Sequence, residues 1–519
     1  RKARSRGATA GPLPSNSAIS SSFISQHPME SIFNLIPRWE GGYHQEGWAM
    51  SELPILELAI VFALVVYLWE TYLDTRQRSR LASKGGVVPS KLAALVKKLD
   101  EEALKALKKE PPKREAADKG EEKSEKKIED GKMLEKMTSE APKFQAYGLD
   151  KITFGMVKGL FGFCQEHGLV LLGMLPYMWD LASGLVGRLG YDPSESEIFV
   201  SLAFAGVYTV IETVLELPWS LYSTFVVEER HGFNKTTLSL FVTDLLTTTA
   251  LTMAIGGPVL AILIKIIKWG GEYFYLYVWG FLFVFSIFFL TIFPIWIQPL
   301  FNKYEPLPEG ELKGAIFSLA KDLKFPLTKL FVVDGSKRSS HSNAYLFGFF
   351  NNKRIVLFDT LIKQMTVPEL KAVLGHEIGH WAHGHVMQMF VIQQAYFLVM
   401  FAVFGFSMND AQLYLSFGFN PSTKPTIIGL ILFMSTIWAP VDKALSFVLT
   451  LNTRRNEFQA DEYATSLNYG PLLKTGLTKM SIENRSNLDP DPLYSLYHYS
   501  HPPLLQRLSA IDVGIKKKA

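Results

Sequence analysis

The residues of this sequence whose types and spacing point most directly to chemistry are His376-Glu377-Ile378-Gly379-His380. On an α-helix, positions i and i+4 lie about 6 Å apart along the axis and nearly on one face. Two neutral imidazoles so placed can reach one zinc ion, and the glutamate on the adjacent flank can take a proton from a water at the metal. Catalytic zinc takes three protein ligands and keeps one position open. His383 and His385 follow closely but miss the spacing of a three-histidine site, so they read as surface residues or as supports for the ligands. The third ligand is expected from a later helix. In Arg454-Arg455-Asn456-Glu457-Phe458-Gln459-Ala460-Asp461, Glu457 and Asp461 share a helical face, so Glu457 can ligate while Asp461 fixes the tautomer of a ligand histidine. A single cysteine, Cys164, excludes both a disulfide framework and a thiolate zinc site.

The elements that must hold these residues are largely apolar. Hydrophobic residues make up 48% of the 519-residue chain and aromatics 13%, although one segment is almost entirely charged. Seven stretches reach the roughly 20 apolar residues that cross a bilayer as a helix. They lie near 54–73, 168–187, 198–226, 237–264, 273–300, 386–407 and 425–450. Glu212, Glu216, Asp244, Asp442 and Lys443 fall inside them and are expected either at helix ends or facing the interior of the bundle. Arg76, Arg78 and Arg80 follow the first span and Lys516 to Lys518 end the chain, which predicts a cytosolic C-terminus and places 301–385 on the cytosolic side. A net charge of +4 gives no argument for a nucleic-acid partner.

The chain therefore divides into five parts. Residues 1–50 form an N-terminal extension whose basic, Ser- and Gly-rich start reads as a disordered tail rather than a targeting segment. Residues 51–300 carry five spans and a charged cytosolic insertion at 97–143, expected to be solvated and only transiently helical. In 301–385, Leu327–Val333 reads as a strand, 344–350 and 354–358 as a hairpin turning at Asn351-Asn352, and 368–383 as the helix of the histidine motif. Spans six and seven occupy 386–450, and 451–519 brings the third ligand. The fold class is a polytopic all-α membrane protein bearing an α+β zincin-like metalloprotease domain.

Further motifs are Tyr67-Leu68-Trp69-Glu70-Thr71, Leu217-Pro218-Trp219-Ser220-Leu221-Tyr222, Glu228-Glu229-Arg230-His231-Gly232-Phe233-Asn234 and Gly335-Ser336-Lys337-Arg338-Ser339-Ser340-His341-Ser342-Asn343-Ala344-Tyr345. Another is His498-Tyr499-Ser500-His501-Pro502-Pro503-Leu504-Leu505-Gln506-Arg507-Leu508. With the two ligand motifs, they make the chain resemble the integral-membrane CAAX prenyl proteases of type 1, zinc endopeptidases of the ER membrane, from about 66 to 510 outside the insertion. The resemblance implies seven transmembrane helices forming a chambered barrel, closed on the cytosolic side by the zinc domain. It implies removal of the last three residues of a prenylated, typically farnesylated, C-terminal CAAX sequence, with one Zn2+ per chain. It makes His376, His380 and Glu457 the ligands and Glu377 the base. Asn343, His501 and Arg507 match positions lining the site: either of the first two could donate to an oxyanion, and Arg507 could hold an aspartate or a substrate carboxylate. The final lysines fit a dilysine retrieval signal. Two rival readings stand beside this one, a general quality-control peptidase using the same site and a non-catalytic membrane protein with a vestigial one.

Overall fold

The computed structural model describes residues 54–109, 132–348, 352–420 and 423–518. The expectations for residues 1–50, for the middle of the charged insertion and for the turn at Asn351 fall outside the described residues.

The first half is helical. It comprises α1 (Ile55–Lys84), α2 (Ser90–Lys109), α3 (Met133–Leu171), α4 (Met174–Arg188), α5 (Glu197–Tyr222), α6 (Leu238–Leu251), α7 (Gly257–Trp269) and α8 (Phe274–Ile292). Turns of π-helix extend α5 and α8 and join α6 to α7, so each of these runs is long enough to cross a bilayer. The α3–α4 pair bends by 65° at Gly173, whose φ of 69° lies in the left-handed region that glycine adopts without a Cβ clash.

The protease segment follows, with β1 (Tyr304–Pro306), α9 (Glu311–Asp322), β2 (Leu327–Val333), β3 (Ala344–Phe347), β4 (Lys353–Phe358), α10 (Asp359–Gln364) and α11 (Val367–Ala382). The chain then runs through α12 (His385–Ser407), α13 (Ala411–Leu415), α14 (Thr426–Ser435), α15 (Ala439–Ser466), α16 (Gly470–Glu483), α17 (Pro492–His498) and α18 (Leu504–Lys518). The α14–α15 pair bends by 58°. The seven expected spans thus fall on five straight helical runs and two bent pairs, the second and the seventh.

The sheet has the order β1-β2-β4-β3, with β2 and β4 parallel and the outer pairings antiparallel. β3 and β4 form the expected hairpin, and β3 lies at an edge. Ile355, Val356 and Leu357 of the central β4 are fully buried, as a strand covered on both faces must be. Leu330, Ile355 and Leu357 pack with Leu370, Leu374 and Ile378 of α11 and with Ala464, Leu473 and Ile511 of α15, α16 and α18. Each large aliphatic side chain so buried contributes about 1.5–3 kcal/mol. Segments separated in sequence by two spans therefore share one core, and this core sets α11 against α15.

The insertion is a correction. Its described ends are not a solvated run: Leu99 of α2 and Met133, Met137 and Ala141 of α3, together with the flanking Leu92, Val96 and Phe144, are buried against Ile482, Leu488 and Leu508. The apolar residues recur at helical spacing and form one stripe. Such a stripe is too small to fold alone, but here it is covered by α16, α18 and their neighbouring loop. Asp100 ties the two helices by accepting from the N–H groups of Met133 and Leu134 at 3.0 and 2.9 Å.

Four of the five ionisable residues singled out within the spans have a described partner. Asp244 receives two bonds from Arg338 at 2.8 Å, Glu216 meets Lys158 at 2.7 Å, Lys443 meets Glu70, and Asp442 accepts from Tyr396 at 2.9 Å. Arg76 and Arg80, at the end of the first span, pair with Asp491 and Asp489, which places that end beside the C-terminal segment.

Candidate active site

The helix carrying the first motif has a strong start. Thr366 and Glu369 form a reciprocal capping box around the first turn, Pro368 sits where no backbone donor is needed, and Lys479 pairs with Glu369 at 2.9 Å. Where α11 crosses α15, Gly379 lets the backbones meet: a Cβ there would lie 3.1 Å from Ala460 Cα and 3.1 Å from Tyr463 Cβ.

That close crossing brings the second motif onto the first. His376 Nε2 and His380 Nε2 stand 3.3 Å apart, Glu457 Oε1 is 3.3 Å from His380 Nε2, and Glu457 Oε2 is 3.6 Å from His376 Nε2. His376 and Glu457 are buried and His380 half-buried. Tetrahedral zinc with ligand bonds of 2.0–2.2 Å separates its ligand atoms by about 3.3 Å, so the three groups fit that ion. Among the described residues no donor is aligned for a hydrogen bond to Glu457 Oε2, although His501 Nδ1 approaches it to 2.9 Å. Two imidazole lone pairs and a buried carboxylate converging on one point call for a cation.

Glu377, half-buried, lies close enough for its charge to interact with His376, His380, Glu457 and Arg507. Burial pushes its carboxyl above the ordinary carboxylate range, as suits a group that must both take and return a proton. Asp461 Oδ1 lies 2.9 Å from His376 Nδ1. Arg507 takes the aspartate of its two expected partners, bonding Asp461 through Nε at 2.9 Å and Nη2 at 2.7 Å, with Nη1 3.4 Å from Glu457.

His501 Nδ1 reaches the Glu457 carboxylate, which holds its imidazole above the usual histidine range. Arg454 fixes the loop before it, donating to the carbonyls of Ser495 and Tyr499 at 3.1 and 3.2 Å and to Gln506 at 3.0 Å. Asn343 stands exposed at the start of β3, its Oδ1 accepting from Ala344 N at 2.8 Å, and no described contact joins its side chain to the histidines. His383 is on the surface, whereas His385 is buried with its Nδ1 2.9 Å from His380 Nδ1. Sequence reasoning passed over Arg454 and Gln459. The signal for Gln459 was an amide stripe, Asn452, Asn456 and Gln459 at i, i+4 and i+7.

Residues 132–303 match the family model described as CAAX prenyl protease N-terminal, five membrane helices, and residues 306–514 match Peptidase family M48. The chain belongs to the CAAX prenyl protease 1 family. A CAAX prenyl protease 1 homolog of Arabidopsis thaliana is 42% identical over 90% of this chain and 99% of its own length. The human homolog is 38% identical over 89% and 97%. The Saccharomyces cerevisiae CAAX prenyl protease 1 is 41% identical over 72% and 86%. The crystal structure of S. mikatae Ste24p superposes with a TM-score of 0.75 at 35% identity, covering 89% of this chain and 99% of that one. As a family member the chain is a multi-pass membrane metallopeptidase, and the mainly helical fold with a small mixed sheet agrees with that match.

Proposed function

We propose that this chain is a zinc-dependent endopeptidase of the ER membrane that removes the aaX tripeptide from prenylated CAAX proteins, with the zinc site toward the cytosol. The single observation that supports it most is the trio His376, His380 and Glu457 at zinc spacing beneath the membrane helices of a CAAX prenyl protease 1 family member. A zinc ion held there supplies Lewis acidity for the scissile carbonyl and lowers the pKa of water toward neutrality.

Glu377 accepts the proton of the attacking water and delivers it to the departing amine. Asp461, anchored by Arg507, accepts from His376 Nδ1–H and so keeps Nε2 free as a ligand. His501, raised in pKa beside Glu457, is a cation-capable donor for the developing oxyanion. Asn343, next to the free edge of β3, is placed to bond the substrate backbone as the peptide adds to that edge as a strand. The prenyl chain stays in lipid, favoured by about 0.8 kcal/mol per buried CH₂, and holds the peptide at the bilayer surface. Few residues of the straight spans are buried, 6–22% of each apolar window, which supports helices that face lipid on one side and an open interior on the other.

The proposed division is an extension at 1–50, spans and insertion at 51–300, protease segments at 301–385 and 451–519 that carry the candidate site, and two spans at 386–450. The purified protein is expected to cut a farnesylated CAAX peptide much faster than the same peptide unmodified, and a chelator to abolish both. Equal rates on the two peptides would mean a general peptidase, and no cleavage of either a vestigial site.

A further inference from the structure

We infer that His385 and Gln459 are positioning residues that select the metal-binding tautomer of His380, an inference resting on the zinc reading of the site. His380 Nε2 faces His376 and Glu457, while its Nδ1 lies 2.9 Å from His385 Nδ1. On the far side of the His385 ring, Nε2 lies 3.1 Å from Gln459 Oε1. Two nitrogens in contact need one proton between them, and which of them carries it follows from the outer partner. The Gln459 carbonyl oxygen accepts from His385 Nε2–H, so neutral His385 offers a lone pair at Nδ1. His380 must then donate from Nδ1–H, and its Nε2 lone pair points at the metal.

The opposite arrangement, with a donor at position 459, would put the proton on His385 Nδ1 and leave His380 protonated at Nε2, unable to ligate. The relay mirrors the one on the other ligand, where Arg507 and Asp461 orient His376. Both halves are anchored on α15, which also bears Glu457.

The helices carrying the relay are locked in register. Asn456 donates to Gln388 Oε1 at 3.2 Å and Gln388 to Asn452 Oδ1 at 3.2 Å, so the stripe of amides on α15 lies along α12, whose first residue is His385. The buried position of His385 excludes the competing water that would blur the choice of tautomer.

The test is the zinc affinity of the purified full chain, read by competition with a chelator, with thermal unfolding of the zinc-free protein as a check on folding. Gln459→Leu and His385→Ala are expected to weaken zinc binding about 10- to 100-fold, and Gln459→Glu, which keeps an obligate acceptor, to stay within about threefold of the parent. His380→Ala, lacking a ligand, is the control for the site itself. Parental affinity in Gln459→Leu would overturn the inference, and so would a Gln459→Glu chain as weak as the leucine variant, because an isosteric acceptor would then fail to hold the tautomer. A parent that holds no zinc, or a His380→Ala chain that holds it normally, would instead remove the underlying metal site.

Discussion

At the scale of single residues, roles separate by what each side chain can do once the metal is held. Glu377→Gln keeps the shape and the metal ligands but cannot take a proton, so kcat is expected to fall by about 10²- to 10⁴-fold. Zinc content measured on the same sample should be unchanged. Asp461→Asn retains the volume yet weakens the acceptor for His376 and leaves the guanidinium of Arg507 without its main counter-charge. Zinc affinity is expected to drop about 10- to 100-fold, measurable by chelator competition. An unchanged affinity would show that His376 is oriented by packing alone. The grouping of these residues was legible because helical spacing puts 376 with 380 and 457 with 461. Asn343 and His501 were not legible in this way: loop residues have no period from which to read a direction.

Elements decide whether those residues meet. Gly379→Ala introduces a methyl 3.1 Å from the Ala460 backbone, which cannot rotate away as a side chain would. The expected outcome is about 1–3 kcal/mol of destabilisation together with weakened zinc binding, since α11 and α15 must separate. A variant that unfolds at the parental temperature would show that the crossing has slack. The ends of the charged insertion give a second case. Leu99→Ala empties a site in the core shared by α2, α3, α16 and α18 and should cost about 2–5 kcal/mol. The exposed Glu101→Ala nearby should stay within about 0.5 kcal/mol by thermal unfolding. The lysine- and glutamate-rich composition of 97–143 masked this because it averages over a helix with two faces. Only the spacing of the apolar residues carried the signal.

At the scale of the whole molecule, the first span must stay joined to the segment that delivers His501. Asp491 makes that joint: it caps α17 by accepting from the N–H groups of Leu493 and Tyr494 and meets Arg76 at 2.9 Å. Burial by itself raises the Asp491 carboxyl, but Arg76 and the two N–H groups outweigh it and hold the group below the usual range. A folded pKa below the unfolded one means that the stabilisation is complete above the unfolded value of about 3.9 and is lost as pH falls through the folded value. Asp491→Asn keeps a good cap and loses only the charge, so its deficit against the parent should shrink as the pH is lowered. Asp491→Ala should cost about 1 kcal/mol more at every pH, because the cap itself is gone. A deficit in the asparagine variant that stays constant with pH would sink this account.

The sequence by itself determined the two histidine- and glutamate-bearing motifs, the seven apolar stretches and the hairpin, because each is a periodicity or a spacing within a few turns of chain. Only the tertiary structure decided that α11 shares one core with α15, α16 and α18, that two of the apolar stretches are bent helix pairs, that the described ends of the insertion dock, and that His385 leans on Gln459. Those outcomes depend on which faces of distant elements meet. That is set by packing over the whole chain rather than by any local repeat.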